Sequence, residues 1–170
     1  MIRRILVAYD GSIFSQKALK LASSISKKMG SEISVIYVIP IAPPYSESKY
    51  DQPKPDPNYL EFLKNHASKV IEDAKNIAGE EGIKINAMIL TGSPVDEICK
   101  QANEENADLT VLGSRGTNLK SKVFGLGSVA ERVSRVIKNS ILIVKEWFHI
   151  KYKIVFNMVK NTDKIQWINI

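Results

Sequence analysis

The segment of residues 113–128 combines the residue types that bind anions. It contains four of the chain's nine glycines and three cations, and it contains no acid. Glycines allow neighbouring backbone N–H groups to point at one centre, and a helix N-terminus adds partial positive charge. Because this segment follows an apolar run at 107–112 and precedes a helical pattern that opens at Ser128, it favours a phosphate-binding loop. A flexible basic surface loop is the alternative on composition alone.

Strand-like and helix-like segments alternate along most of the chain. Short apolar runs predict five strands, at 5–9, 33–39, 83–90, 109–112 and 141–144. Apolar residues at helical spacing predict four helices, at 13–29, 59–81, 94–105 and from Ser128 onward. This alternation predicts an α/β fold, with an open, mostly parallel five-stranded sheet of order 3-2-1-4-5 and helices on both faces, Rossmann-like. The third strand is the least apolar of the five and is expected near an edge.

Two segments break the alternation. Residues 40–58 hold six of the chain's seven prolines and predict a loop. Residues 146–170 carry both tryptophans, and 150–155 alternates weakly, as an edge strand or hairpin arm does. This C-terminal extension covers a sheet edge, mediates self-association or has no fixed structure, and the sequence does not choose between these. We therefore divide the chain into a domain at 1–145 and an extension at 146–170.

Composition narrows the class of protein. No apolar run approaches the roughly 20 residues of a membrane span. The net charge of +6 is modest and its acids and bases are interspersed, so no specific nucleic-acid partner is expected. The N-terminus lacks the pattern of a signal peptide and Cys99 is the single cysteine, so we expect a cytoplasmic protein without a disulfide. The two histidines, His66 and His149, are too far apart in the sequence to match the spacing of metal ligands. Both are expected outside the ligand-binding crevice that the fold predicts.

The predicted sheet places two unusual turns together. In doubly wound sheets the ligand binds beyond the carboxyl ends of the strands where strand order reverses, here the first and fourth. Asp10 follows the first strand and Gly113 follows the fourth, so both face one crevice. The motifs G-x-G-x-x-G and G-x-x-x-x-G-K-[ST] are absent. No residue is a convincing general base, so we assign no catalytic residue.

Three segments in the same order resemble the universal stress protein family. They are Ile-Leu-Val-Ala-Tyr-Asp-Gly-Ser at 5–12, Thr-Gly-Ser-Pro at 91–94, and Gly-Ser-Arg-Gly at 113–116 leading to Gly127 and Ser128. The resemblance spans about residues 2–145. ATP-binding members carry G-x-x-G, nine residues and then G-[ST], whereas here Gly116 and Gly127 enclose ten residues.

The resemblance implies an ATP site, with or without Mg²⁺ or Mn²⁺. Asp10 would contact the ribose or a nucleotide-bound metal, and the backbone of Val38 would bind the adenine edge between the apolar walls Ala8 and Leu112. The phosphates would be surrounded by Gly113, Ser114, Arg115, Gly116, Gly127 and Ser128. The family also implies a stress-response regulator or sensor that changes conformation with its nucleotide, a homodimer formed through the fifth strand, and a protein partner of unknown identity.

Each implied role has a structural alternative. Hydrogen bonds to the N–H groups of its own turn are the alternative for Asp10, and capping of its helix is the alternative for Ser128. Arg115 is also compatible with a solvated surface cation. The alternative function is a nucleotide-independent dimeric interaction scaffold of the same fold.

Overall fold

The structure, a computed structural model, describes residues 1–40, 56–117, 126–147, 150–157 and 166–169, and beyond residue 145 it describes the backbone alone. These residues form strands and helices in the order β1 (Arg4–Ala8), α1 (Ile13–Met29), β2 (Glu32–Pro40), α2 (Pro57–Glu80), β3 (Ile85–Gly92), α3 (Pro94–Glu104), β4 (Leu109–Gly113), α4 (Ser128–Val136), β5 (Ser140–Trp147), β6 (Ile150–Asn157) and β7 (Gln166–Asn169).

All these strands belong to one sheet of order β3-β2-β1-β4-β5-β6-β7. β1 to β5 pair in parallel, which confirms the predicted order 3-2-1-4-5 and the edge position of β3. Ala8 at the end of β1 lies opposite Ile36 of β2 and Leu112 of β4. The strand order therefore reverses between β1 and β4, where the loops after these two strands leave the sheet side by side.

Each face of the sheet is covered by two helices. Alternate β1 side chains point to opposite faces, so Ile5 and Val7 pack under α1 and α2 whereas Leu6 packs under α3 and α4. All three side chains are at most 1% exposed. Among the described residues, no helix is long and apolar enough to cross a bilayer.

Local sequence signals explain where the helices begin and end. Ser12 caps α1, its Oγ accepting from the Ser15 N–H at 3.2 Å, and Gly30 ends α1 in the left-handed conformation at φ 69°. These signals confirm the predicted bounds of α1. α2 begins at Pro57, two residues before its predicted start, because Asp56 caps it by accepting from the Asn58 N–H. The rest of the predicted 40–58 loop, residues 41–55, lies outside the described residues.

Two expectations about α4 are wrong. The N-cap is Gly127, and Ser128 is the first helical residue rather than the cap. The helical spacing of the apolar residues from Ser128 onward also predicts that Val136 faces inward, but Val136 is 58% exposed, while Ala130 and Val133 are buried. Ile137, the C-cap residue of α4, is 4% exposed and takes the inward position instead.

The C-terminal extension lengthens the sheet. β6 pairs antiparallel with the outer edge of β5, with Val155 opposite Ile143, and β7 pairs antiparallel with β6. The described backbone therefore favours the first of the three alternatives, that the extension covers a sheet edge. In this arrangement the edge of β5 that would pair with a second copy is already occupied.

The glycine that ends β4 is required by a close helix contact. A Cβ on Gly113 would lie 2.7 Å from the Phe14 carbonyl carbon and 2.8 Å from the Ser15 nitrogen. Both atoms belong to the backbone of α1, which cannot rotate away as a side chain can. Gly113 therefore sets how closely the first turn of α1 approaches the end of β4.

Asp108 fastens the start of β1 to the start of β4. Its carboxylate accepts from the backbone N–H groups of Arg3 at 2.8 Å and Arg4 at 2.9 Å. These two hydrogen bonds, followed by the nearby positive charges, hold the pKa of the Asp108 carboxyl below its ordinary value.

We predict that Gly113→Ala lowers the free energy of unfolding by about 1–3 kcal/mol, because the added methyl group overlaps backbone atoms. The control is Gly79→Ala in α2, where a Cβ has no neighbour within 4 Å and a small gain in stability is expected. Urea denaturation of both variants measures the difference. A Gly113→Ala protein as stable as the wild type would contradict the packing argument.

We predict that Asp108→Asn lowers the free energy of unfolding by about 1 kcal/mol at pH 7, because it removes a charged hydrogen-bond acceptor. The loss is modest because this acceptor is exposed to solvent. A carboxyl whose pKa is lowered by folding stabilises the native state fully above its unfolded pKa. That contribution is lost as the pH falls through the folded pKa. Urea denaturation at pH 7 and pH 3 should therefore show a smaller gap between wild type and variant at pH 3. An equal difference in unfolding free energy at both pH values would show that the charge of the Asp108 carboxylate does not contribute to stability.

Candidate functional site

A cavity of about 540 Å³ opens at the carboxyl ends of β1, β2 and β4. It lies where the strand order reverses, which is where ligands bind in doubly wound sheets. Its volume is in the range of small-molecule sites. The structure therefore forms a cavity at the place that the sequence predicted.

Nine of the ten predicted site residues line this cavity, namely Ala8, Asp10, Val38, Leu112, Gly113, Arg115, Gly116, Gly127 and Ser128. Ser114 does not line it and is fully buried. The Ser114 N–H donates to the Val144 carbonyl at 2.8 Å, and its carbonyl accepts from the Gly127 N–H at 2.7 Å. Its role in the structure is to hold the glycine loop against β5 and the start of α4. Its hydroxyl has no hydrogen-bond partner among the described residues.

Asp10 connects the turn after β1 with the loop after β4. Its Oδ1 accepts from the Ser12 N–H at 3.1 Å, and its Oδ2 accepts from the Thr117 N–H at 3.2 Å. A second bond in the same place runs from Ser12 Oγ to the Arg115 carbonyl at 3.3 Å. Asp10 therefore does satisfy its own turn, as the structural alternative requires, and it also holds the glycine loop.

Two glycines of the loop have little room for a side chain. A Cβ on Gly116 would lie 2.7 Å from Asp10 Oδ2, and one on Gly127 would lie 3.2 Å from Arg115 Cα. Larger residues would push the loop away from Asp10 and from α4. Gly125 and the lysines at 120 and 122 lie outside the described residues, as does most of the ten-residue segment between Gly116 and Gly127.

The N-terminus of α4 presents to the cavity backbone N–H groups that no described side chain caps. Gly127 has no side chain with which to cap the helix, and no other described side chain caps it. Ser128, Val129 and Ala130 all line the cavity. The acid of this first turn, Glu131, accepts from Arg135 at 2.7 Å, which offsets its charge. The N–H groups and the helix dipole therefore give this end of the cavity partial positive charge, which suits an anion.

On the opposite side, the end of β2 presents backbone polar groups to the cavity. The Ile36 carbonyl accepts from the Tyr9 N–H at 2.9 Å, so Ile36 bonds toward β1. Because strand orientation repeats every two residues, the N–H and C=O of Val38 face the same side. β1 has ended there, so these groups face the cavity rather than another strand. A neighbouring donor and acceptor of this kind suit the edge of a planar heterocycle.

The sequence missed two aromatic residues and one imidazole. Tyr9, Tyr37 and His66 line the cavity, so the expectation that His66 lies outside it is wrong. His66 precedes the buried Val70 by four residues, and that spacing is the signal that could have placed it on the inner side of α2. His149 lies outside the described residues.

Tyr9 is held by an acid of α2. Its hydroxyl donates to Asp73 Oδ2, which also accepts from Gln16 Nε2 at 3.5 Å. Burial first, and then the hydrogen bond to Asp73, raise the pKa of the Tyr9 phenol above its ordinary value. Tyr9 therefore stays neutral at physiological pH, and the pair fastens the end of β1 to α2.

The residues present supply little to a metal ion by themselves. Within the described ranges, no three His, Cys, Asp or Glu side chains form a cluster that could hold one. Asp10 is the one carboxylate among the described residues that line the cavity. It could give a single oxygen ligand to a divalent cation whose other ligands come from phosphates and water.

Comparisons of the sequence with known proteins agree on one family. The model of the universal stress protein family matches residues 1–145. Universal stress protein MJ0531 of Methanocaldococcus jannaschii is 32% identical over 149 residues, which cover 86% of this chain and 84% of that protein.

Solved structures show the same fold. Universal stress protein UspA from Lactobacillus plantarum is 25% identical, covers 85% of this chain and 98% of its own, and superposes with a TM-score of 0.70. A universal stress protein from Archaeoglobus fulgidus in complex with dAMP covers 85% and 98% of the two chains at 20% identity and a TM-score of 0.62, which is a likeness of fold alone. The sequence match over residues 1–145 and the shared fold lead to one conclusion: the chain belongs to the universal stress protein family.

Proposed function

We propose that this chain binds an adenine nucleotide, ATP, and acts as a regulator or sensor in the stress response. The observation that supports this best is the common cavity: nine of the ten residues implied by the family resemblance, from three separate parts of the sequence, line it. The dAMP complex of the Archaeoglobus fulgidus protein supports adenine as the base.

In the proposed orientation the nucleotide extends across three neighbouring strands. The base lies at the end of β2, beside the N–H and C=O of Val38. The ribose lies at Asp10 after β1, and the phosphates lie at the N-terminus of α4 after β4. Since adjacent strands are about 4.8 Å apart, β2 and β4 are separated by roughly 10 Å, which suits a nucleotide extended from base to phosphates.

Asp10 couples the ligand to the loop. Its Oδ2 accepts from the Thr117 N–H, and a ribose hydroxyl would donate to the same carboxylate. Binding therefore shifts the population between a loop fastened to Asp10 and a loop rearranged around phosphate. A divalent cation, when bound with the nucleotide, would offset phosphate charge and take one ligand from Asp10. No residue is assigned a catalytic role, and hydrolysis is at most slow.

The remaining proposals concern the domain organisation, the oligomeric state and the cellular location of the protein. Residues 1–145 form the nucleotide-binding domain and 146–170 an extension that protects the edge of β5. A homodimer, implied by the family, would then need a surface other than that edge, because β6 occupies it. The single cysteine is consistent with a location in the reducing cytoplasm. There the protein would bind a protein partner that is not yet identified.

One observation favours the second candidate, a nucleotide-independent scaffold. The Asp10 carboxylate already accepts from two backbone N–H groups without a ligand, that of Ser12 on its own turn and that of Thr117 on the glycine loop. A protein that had lost its nucleotide would keep this contact for stability alone. Direct titration separates the two candidates.

We predict that calorimetric titration shows ATP binding, and that Gly116→Val weakens it at least tenfold, because its Cβ would lie 2.7 Å from Asp10 Oδ2. ADP, AMP and cyclic AMP, titrated in parallel, define how far the phosphates contribute. The matched control is Gly79→Val, where a Cβ has no neighbour within 4 Å. Absence of heat with every nucleotide would favour the scaffold, and unchanged binding by Gly116→Val would remove the loop from the site.

We predict that Asp10→Ala exposes the glycine loop in the absence of nucleotide. The Thr117 N–H loses its acceptor, so its hydrogen exchange should accelerate about tenfold or more. The Gly30 N–H, which donates to the Ser26 carbonyl at 2.8 Å, should keep its rate and serves as the internal control. Equal protection of Thr117 in both proteins would show that Asp10 does not hold the loop.

A further inference from the structure

His66 presents its imidazole at the mouth of the cavity. The residue is exposed, yet it lines the cavity on the α2 side. Two other rings fix its position. The Tyr37 ring lies edge-on at a centroid distance of 6.2 Å and an angle of 68°, and the Phe62 ring lies nearly parallel at 6.5 Å and 15°. Both distances are typical of aromatic pairs.

This small cluster is anchored in the body of the protein. Tyr37 is half-buried and packs against the core between the sheet and α1 and α2. Phe62 is 64% exposed and lies one helical turn before His66, so it supports the imidazole without burying it. A ring held in place on one side and open on the other can receive a flat ligand with little loss of side-chain entropy.

His66 lies at the base end of the cavity and away from the phosphate end. It contacts Tyr37, which precedes Val38 on β2, whereas the anion-binding N–H groups belong to α4 after β4. β1 separates these two strands, so the two ends are roughly 10 Å apart. An imidazole at this end faces the heterocycle of a nucleotide bound in the proposed orientation.

We propose that His66 is a nucleotide-binding residue that packs its imidazole against the purine base of the bound nucleotide, with Tyr37 and Phe62 as positioning residues. This inference rests on the proposed nucleotide-binding function. Val38 then selects the edge of the base by hydrogen bonds, and His66 selects its planar shape by stacking. Stacking accepts any flat base, so His66 contributes affinity for the nucleoside part irrespective of phosphate number.

The test is a set of calorimetric titrations with adenosine, AMP and ATP. The proteins are the wild type, His66→Ala, His66→Phe and the control Asn76→Ala, an exposed position on α2 ten residues, or about 15 Å, further along the helix. We expect His66→Ala to weaken all three ligands by the same factor, about tenfold. His66→Phe, which keeps a flat ring, should restore most of that loss, and Asn76→Ala should leave all three affinities unchanged.

Each other outcome has a distinct meaning. A loss that grows from adenosine to ATP would overturn the proposal and make His66 a phosphate contact. Unchanged affinities in His66→Ala, or a His66→Phe protein as weak as His66→Ala, would also overturn it. If the wild type bound none of the three ligands, the proposed nucleotide-binding function itself would be wrong. This result is distinct from a failure of the His66 proposal, which concerns only the differences between wild type and variants. Far-ultraviolet circular dichroism confirms that each variant is folded.

Discussion

The carboxylate of Asp10 joins the two sides of the cavity, and the glycines of the neighbouring loop leave the space that this contact needs. Asp10 accepts from Ser12 on its own turn and from Thr117 on the loop that follows β4. The reversal of strand order places these loops side by side, but the carboxylate reaches the second only if no side chain stands between them. Gly116 meets this condition, since a Cβ there would lie 2.7 Å from Asp10 Oδ2. The position of the glycine is therefore a consequence of the position of the acid.

The same contact explains why a glycine pattern is weak evidence for a ligand. Gly113 is required by the backbone of α1 and Gly127 by the Arg115 backbone, and both requirements exist in the protein alone. Two features of the cavity have no such internal use among the described residues. One is the uncapped N-terminus of α4, and the other is the pair of polar groups on Val38 beyond the end of β1. Unpaired backbone groups of this kind need water or a ligand, so they support nucleotide binding more strongly than the glycines do.

The sequence predicted those parts of the fold that depend on local signals. Ser12 and Gly30 determine the ends of α1, and continuous apolar runs identify the buried parallel strands. Placing Asp10 and Gly113 at one crevice required only the strand order. For His66 the spacing to Val70 indicates the inner side of α2, but it does not indicate the cavity, because that position depends on how α2 crosses β2, which many distant contacts decide together. The same holds for β6, whose antiparallel pairing with β5 follows from a weak alternation that fits several partners. Ser128 was misplaced by one residue because Gly127 can also cap a helix.

The contacts around Asp10 also indicate where the affinity for a nucleotide would arise. A ribose hydroxyl that replaced the Thr117 N–H on Asp10 would exchange one hydrogen bond to a carboxylate for another, so the net change there is close to zero. At α4 a phosphate would displace no side-chain cap among the described residues, and hydrogen bonds to a charged phosphate are roughly twice as strong as neutral ones. At β2 the gain comes from the base edge and from stacking. The two ends of the cavity would therefore provide the affinity, while Asp10 between them converts occupancy into a change of the glycine loop at little energetic cost. A site arranged in this way responds to the presence of its ligand without needing to consume it, which is the behaviour that a sensor requires.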